Sequence, residues 1–209
     1  MENYVWSLDI STTNIGSALW DKKTGKLIEL KHLELKIDRK IPVEERDIHK
    51  AEIFRNYVQE YKQMVLNKFG GVITDIVVEE PLGGSNNQNT VSLLFGFNGM
   101  CRYILFNIFG KIPTKISVYE SRKLFLTELV KVTHKKNRST GDIERIETLT
   151  FPHEYKKEKK LYVWEKVCKL EPQIEWFYKK DGKPKDICFD MSDSYAVGHA
   201  ALKKMGIIE

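Results

Sequence analysis

Four carboxylates in this chain stand where the neighbouring residues are apolar or follow a helical pattern. They are Asp9, Glu79, Asp190 and Asp193. Asp9 and Glu79 each end an apolar run. Asp190 and Asp193 are three residues apart in a helical pattern, so we expect them to share one helix face. A buried carboxylate costs several kcal/mol unless it is paired, hydrogen-bonded or bound to a metal. The four acids therefore predict a site for hard divalent cations.

Oxygen ligands of this kind favour Mg²⁺, with Mn²⁺ as a substitute. Two such ions about 4 Å apart can stabilise the attacking and the leaving oxygen in phosphodiester hydrolysis. Structural interpretations stay open beside this one. Asp9 could close a turn, and Asp190 could N-cap the last helix with Asp193 in its first turn. Glu80 competes with Glu79, because strand alternation sends adjacent side chains to opposite faces and only one can join the site.

Strand and helix patterns alternate along the chain and would position these acids. Strand patterns occupy residues 4–10, 15–20, 27–35, 72–79 and 112–118. Helical spacing occupies residues 42–69, 90–109, 120–130, 154–170 and 190–205. The first three strands are joined by short turns, and 72–79 is apolar enough to be covered on both faces. The order predicts an α/β fold: a mixed five-stranded sheet, three antiparallel hairpin strands first, flanked by helices.

Length and composition bound the possible classes of protein. With 209 residues and 42% hydrophobic residues, we expect one domain spanning 1–209, with a flexible or inserted segment at 131–153. No apolar run reaches about 18–20 residues and no signal-peptide pattern opens the chain, so we expect neither a membrane span nor secretion. Three widely spaced cysteines predict no disulfide framework or zinc knuckle and suit a cytoplasmic location.

Positive charge is concentrated in one part of the chain. The net charge is +5, but residues 111–160 carry 13 basic and 7 acidic residues, a pattern that can meet a polyanion. The candidate DNA-binding residues are Asn86, Asn87, Lys135, Lys136, Arg138, Lys156, Lys157 and Lys160. The lysines and the arginine could instead form a solvated basic face without a ligand. The asparagines could instead belong to a loop and cap the following helix. The apolar stripe in 90–109 fits a core helix or a dimer interface.

Three short motifs resemble those of RuvC-type Holliday junction resolvases, most closely phage-encoded ones, in the RNase H-like superfamily. The first is Asp9 on strand one, followed by the polar turn 11–14 and by Gly16 on strand two. The second is Glu79 at the end of strand four, and the third is Asp190-x-x-Asp193 on the last helix. The motifs occur in family order and bracket nearly the whole chain.

The resemblance implies an RNase H-like fold and an endodeoxyribonuclease of the DNA recombination and repair type. Asp9, Glu79, Asp190 and Asp193 would be the catalytic residues and would bind two Mg²⁺ ions per site. The partners would be a second copy of the chain and four-way DNA junctions, in the host cytoplasm if a phage encodes the protein. Ser194 and Tyr195 after the last acid, and Leu82 where an aromatic residue is frequent, depart from the family pattern and leave the cleavage-site preference open.

Three other functions remain compatible with the same residues. The acids serve phosphodiester hydrolysis in general, so a nuclease of this fold could act on other branched DNA or on RNA–DNA hybrids. A non-catalytic nucleic-acid-binding module of the fold is a second alternative. Residues 9–13 also resemble the first phosphate loop of actin-like sugar kinases and ATPases, but the chain lacks their length and their second Gly-rich motif.

Overall fold

The computed structural model describes residues 1–81, 88–136 and 142–209. Its strands are β1 (Glu2–Ile10), β2 (Asn14–Asp21), β3 (Leu27–Glu34), β4 (Gly71–Glu80), β5 (Thr114–Ser117), β6 (Val130–Lys136) and β7 (Ile143–Leu149). Its α-helices are α1 (Arg46–Phe69), α2 (Gln88–Phe109), α3 (Val118–Phe125), α4 (Lys159–Leu170) and α5 (Asp186–Lys204). Single 3-10 turns precede α1, follow α3 and precede α4.

The main sheet has five strands in the order β3-β2-β1-β4-β5. β1 pairs antiparallel with β2, and β2 with β3, while β4 lies parallel to both β1 and β5. The predicted mixed sheet, with three antiparallel hairpin strands first, is confirmed. β1 is the middle strand of the sheet, and helices cover both of its faces. It is therefore buried along most of its length.

Each face of the sheet carries its own hydrophobic core, because side chains along a strand alternate. Trp6 and Leu8 lie in the core under α1 and α2, together with Phe54 and Val58 of α1. Val5, one residue out of phase, lies in the core under α3, α4 and α5. The odd-numbered residues of β1 therefore face α5, and this face also holds the acids.

Helix α5 lies very close to the sheet. A Cβ added to Gly198 would be 2.0 Å from Nε1 of Trp20 and 2.4 Å from Oγ of Ser7, so only glycine allows this approach. Ser7 Oγ donates a hydrogen bond to the carbonyl oxygen of Ser194 at 2.8 Å and accepts one from Trp20 Nε1 at 3.1 Å. These buried polar contacts fix the register of α5 on β1.

The structure adds to the sequence analysis at two places. Helix α5 begins at Asp186 with Lys185 as its N-cap residue, so Asp190 lies inside the helix and is not its cap. No strand was expected in the segment 131–153, but its described part contains β6 and β7, which pair only with each other among the described residues. β6 is exposed on both faces, so its sequence shows no apolar alternation. That the segment is an insertion in a single domain stays a prediction.

Helix α2 contains one segment, Val91–Phe109, that is long and apolar enough to cross a membrane by length and composition. One side of this helix is buried in the core, where Phe97 and Cys101 pack beneath α1. On its other side, Phe95 and Tyr103 are exposed. The absence of a membrane partner stays a prediction.

Candidate active site

Carboxylate oxygens of Asp9, Glu79 and Asp193 lie within 4.8 Å of one another, and we call these three residues the acid cluster. They come from β1, β4 and α5, which are distant in sequence and adjacent in the fold. Asp9 and Asp193 are buried, at 8% and 1% exposure. The sequence-predicted acids are thus brought together at one end of the sheet.

The parallel pairing of β1 and β4 places the first two acids. Leu8 pairs with Val78, so Asp9 and Glu79 follow side by side at the carboxyl ends of neighbouring strands. Val77 lies in the core under α5, and alternation brings Glu79 to the same face. The geometry therefore turns both carboxylates toward α5.

Gly16 allows α5 to bring the other two acids to the strands. It pairs with Asp9 across β1 and β2, and a Cβ added to it would lie 1.9 Å from the carbonyl oxygen of Asp190. The backbone of α5 therefore packs directly against the backbone of β2 at Gly16, the residue that pairs with Asp9. Asp193, one turn further along α5, enters the acid cluster, whereas Asp190 lies beside the cluster and not among the three clustered residues.

Glu79 and Glu80 have different environments. Glu79 is in the acid cluster, and its Oε1 is buried without a hydrogen-bond donor among the described residues. Glu80 points to the other side of β4 and makes an ion pair with Lys115 on the neighbouring strand β5. The geometry therefore places Glu79, not Glu80, with the other acids.

Among the described residues, two cationic side chains contact Asp190 and Asp193 of α5. Arg122 Nη2 of α3 lies 3.1 Å from Asp193 Oδ1, with both side chains largely buried. Lys160 Nζ, in the first turn of α4, lies 3.0 Å from Asp193 Oδ2 and 3.6 Å from Asp190 Oδ1. Lys160 therefore links Asp190 to the acid cluster.

The clustered acids hold their protons more tightly than free carboxyls. Burial, and then the negative charge of Asp193, raise the pKa of Asp9 from 3.8 to about 7. Burial, together with the charges of Asp9 and Asp193, raises the pKa of Glu79 well above its ordinary value. Like charges held close in a buried site oppose full ionisation. The cluster is consequently short of positive charge at neutral pH.

The neighbouring pair of Asp190 and Lys160 also has shifted pKa values, because negative charge exceeds positive charge at the site. Burial raises the pKa of Asp190 to about 6, against the opposing charge of Lys160. Burial of the Lys160 amine lowers its pKa, but the charges of Asp193, Asp9 and Asp190 outweigh this effect and raise the pKa overall. Lys160 therefore remains protonated, and two cationic side chains face four carboxyls at this site.

The residues present fit a divalent metal. All the donors are carboxylate oxygens, the set that hard ions such as Mg²⁺ and Mn²⁺ prefer. Glu79 Oε1, buried without a hydrogen-bond donor among the described residues, would gain a partner in such an ion. The tight group of three acids suits one ion, and Asp190 beside it could contribute to a second.

The predicted DNA-binding residues fall into separate groups. Asn86, Asn87 and Arg138 lie outside the described residues. Lys135 and Lys136 are exposed on β6, and Lys156 and Lys157 are exposed before α4. Of the described candidates, Lys160 directly contacts the acids. Its role as well as theirs stays a prediction.

Arg122 is the contact residue that sequence reasoning missed. It lies in α3, in a stretch where helical spacing is predicted over 120–130, and its ion pair joins residues 71 positions apart. The N-cap of α3, Ser117, accepts a hydrogen bond from the Glu120 amide at 3.2 Å and fixes the start of that helix. Sequence spacing carries no signal for such a contact, because it depends on how α3 packs against α5.

Comparisons with known proteins bear on the fold. No protein-family model and no curated protein matches the chain. Among solved structures, RuvC of T. thermophilus in complex with Holliday junction substrate is 15% identical, covers 98% of this chain and 96% of its own, and has a TM-score of 0.51. A second Thermus thermophilus RuvC structure is 16% identical over 97% and 96%, with a TM-score of 0.48.

An Aquifex aeolicus Ppx/GppA phosphatase is more distant, at 12% identity over 80% of this chain and 63% of its own, with a TM-score of 0.39. The first match, near-complete on both chains, agrees with the strand order and with the helices on both faces of the sheet. At this identity it bears on architecture only. The chain therefore has the α/β, RNase H-like fold seen in RuvC.

Proposed function

We propose that this protein is a divalent-metal-dependent endodeoxyribonuclease that cleaves four-way DNA junctions by phosphodiester hydrolysis. The observation that carries the proposal is the acid cluster: three carboxylates from β1, β4 and α5 with oxygens within 4.8 Å. Arg122 and Lys160 offset part of the negative charge of these buried acids, and a divalent cation would neutralise the remainder. The chain has an RNase H-like fold. The resolvase family that its motifs resemble carries a site of this kind on the same fold.

In this mechanism Asp9, Glu79 and Asp193 would hold the metal, and Asp190 would contribute to a second position. Divalent ions bound there would supply activation of the attacking water and stabilisation of the leaving 3′ oxygen. Arg122 holds the Asp193 carboxylate through Oδ1, and Lys160 contacts its Oδ2. Lys160, protonated and half-exposed at the edge of the cluster, neutralises charge that develops on the phosphate.

A four-way junction is the proposed substrate for two reasons. The RuvC structure of similar architecture is described in complex with Holliday junction substrate. The sequence motifs also resemble those of junction resolvases. Other branched DNA and RNA–DNA hybrids would use the same acids, so they are arms of the test. We place this activity in DNA recombination and repair in the cytoplasm.

A second copy of the chain is the proposed protein partner, with α2 as the interface. Leu93, Phe95, Tyr103 and Phe106 of α2 are exposed. A Cβ added to Gly96 or Gly99 on the same helix would meet nothing within 4 Å, so a second helix could approach closely there. Exposed apolar groups of this extent favour an interface. Two copies would offer two acid clusters to the two strands that a resolvase cuts.

The dimer is tested by light scattering of the full chain after size exclusion. We expect the wild type to have the mass of a dimer and Phe106→Glu to have that of a monomer with an unchanged circular dichroism spectrum. A monomeric wild type at all accessible concentrations would contradict the interface.

Cleavage is tested on labelled four-way junction, flap, hybrid and linear duplex, each with Mg²⁺ and with EDTA. We expect junction cleavage in Mg²⁺ alone and its loss in Asp9→Asn, with junction binding retained. Asp75→Asn is a matched control, because Asp75 pairs with Lys22 away from the site at 2.7 Å. Equal cleavage by wild type and Asp9→Asn, or no cleavage of any substrate by the wild type, would refute the function.

A further inference from the structure

A cleft of about 730 Å³ lies beside the acid cluster and is strongly basic. Six lysines line it, and we call it the lysine cleft: Lys156, Lys157, Lys159, Lys160, Lys179 and Lys183. Lys160 belongs both to the cleft and to the site, since its Nζ is 3.0 Å from Asp193 Oδ2. The cleft therefore opens directly onto the acid cluster.

Two walls that are distant in sequence form the lysine cleft. One wall is residues 156–161, which lead into α4. The other is a tight turn in which the Lys179 amide donates to the Lys183 carbonyl at 2.7 Å and Gly182 adopts a positive φ of 80°. Gly182 suits that backbone conformation because it lacks a Cβ. The second wall is thus a defined structure that presents Lys179 and Lys183.

The positive charge in the cleft is largely uncompensated. Among the residues described, Lys156, Lys157 and Lys183 make no ion pair with an acid. Lys179 pairs at 3.0 Å with Asp186, a strongly exposed residue at the start of α5. Glu158 is the one acid that lines the cleft in the described chain. Like charges gathered in one concave surface attract an anion with several charges.

The interior of the cleft is apolar. Pro184 is buried and Phe189 is partly buried, and both line the cleft. Phe189 directly precedes Asp190 in α5, so the same helix lines the cleft and carries two of the acids. An aromatic face between lysines is the combination that binds single-stranded nucleic acid, with bases stacked on rings and phosphates on cations.

We propose that the lysine cleft binds an unpaired nucleotide segment next to the phosphate that is cleaved, with its phosphates on the lysines and a base against Phe189. The proposal rests on the proposed function, because it names the substrate strand of the same site. A volume of about 730 Å³ is that of a small-molecule pocket and admits nucleotides but not a whole duplex. A duplex could enter only where its strands separate, as they do at a branch point.

An acidic peptide could also pair with the lysines. It has no phosphodiester bond to present to the acid cluster, so it would not explain why the cleft opens there. A free phosphate would use the lysines and leave Phe189 unused. The nucleotide segment uses the charge, the ring and the position together. The two other ligands therefore become arms of the test.

The test measures binding by fluorescence anisotropy with the full chain in EDTA, so that no cleavage is needed. The probes are a labelled single-stranded oligonucleotide and a duplex of the same sequence. We expect Lys156→Ala/Lys183→Ala to weaken single-strand binding about tenfold or more and to reduce the slope of log affinity against log salt by about 1.4, two phosphate contacts at about 0.7 each. Phe189→Leu should weaken it with the slope unchanged, since no charge is lost.

The matched control is Lys23→Ala/Lys26→Ala, two exposed lysines in the β2–β3 turn. That turn follows Asp21, which pairs with Tyr4 at the end of β1 opposite Asp9. We expect the control to bind like the wild type, and thermal melts to show that all variants are folded. Inorganic phosphate and a poly-glutamate peptide serve as competitors and should not displace the oligonucleotide at matched charge concentration.

Single-strand affinity that falls no further in Lys156→Ala/Lys183→Ala than in the control would overturn the proposal. Equal losses for duplex and single strand, or displacement by poly-glutamate at matched charge, would overturn it as well. The binding assay separates this inference from the nuclease. Intact cleavage with unchanged binding in the variants rejects the cleft alone, whereas oligonucleotide binding without any cleavage rejects the nuclease alone.

Discussion

Replacing Asp9 by Asn should stabilise the metal-free protein at neutral and alkaline pH. The pKa of Asp9 rises from 3.8 to about 7 on folding, a difference of about 3 pKa units. At about 1.4 kcal/mol per unit, the ionised carboxylate lowers the free energy of unfolding by about 4 kcal/mol. Asn has nearly the same shape and no charge, so it removes this penalty.

The sign follows from the direction of the shift. A carboxyl whose pKa is raised in the folded state contributes stability that is complete below pH 3.8 and is lost as the pH rises to about 7. The wild type should therefore lose stability across this window, and Asp9→Asn should lose less. Above about pH 7 the variant should be the more stable protein by up to about 4 kcal/mol.

The assay is equilibrium unfolding in urea at about pH 5 and about pH 8, in EDTA and in Mg²⁺. At about 100 times its dissociation constant, Mg²⁺ should add about 2.7 kcal/mol to the wild type and much less to Asp9→Asn, narrowing the difference between them at pH 8 to about 1.3 kcal/mol. Asp75→Asn is a control that should lower the free energy of unfolding at pH 8. The ion pair with Lys22 helps to hold the pKa of Asp75 below its usual value, so the ionised carboxylate stabilises the folded protein. An Asp9→Asn protein less stable than the wild type at pH 8 in EDTA would refute the reasoning.

The other variants test how the site is built. Gly16→Ala should cost about 1–3 kcal/mol of stability and weaken Mg²⁺ binding in calorimetry, because its Cβ would lie 1.9 Å from a backbone oxygen of α5. Gly99→Ala, with open space around it in a single copy, should leave the stability of the monomer unchanged or raise it by up to about 1 kcal/mol, although it could hinder close approach in the dimer. Glu79→Gln should abolish junction cleavage while Glu80→Gln retains it, and equal activity of the two would contradict the placement. Lys160→Met should slow cleavage at saturating substrate while Mg²⁺ binds more tightly, and a change in KM alone would contradict its role at the phosphate.

Much of the fold could be predicted from local pattern. The alternation of β1 and the two-sided apolar run of β4 identified the strands, and the hairpin turns fixed the antiparallel order. Helix ends were less accurate: α5 begins four residues before the expected Asp190 and α4 five residues after the expected Glu154. The expected starts were wrong because residues 186–189 and 154–158 carry charges and turns whose helical state depends on packing.

The hairpin β6–β7 shows why some elements leave no sequence signal. β6 is mostly exposed on both faces, and the two strands pair only with each other in the described chain. A strand without a buried face does not need an apolar residue at every second position. The sequence of β6 therefore resembles that of a loop. Its inner end, at Leu149, packs against the core under α5, and this contact depends on tertiary structure.

The sequence by itself determined which carboxylates stand at strand ends and on one helix face, because side-chain direction in a strand or helix is set by local geometry. Only the tertiary structure decided that Glu79 and not Glu80 joins Asp9, since that depends on which face of β4 meets α5. It also decided that Arg122 and Lys160 pair with the acids and that two lysine-bearing segments close one cleft. These contacts join residues far apart in the chain, where packing at Gly16 and Gly198 sets the distances and no periodicity in the sequence encodes them.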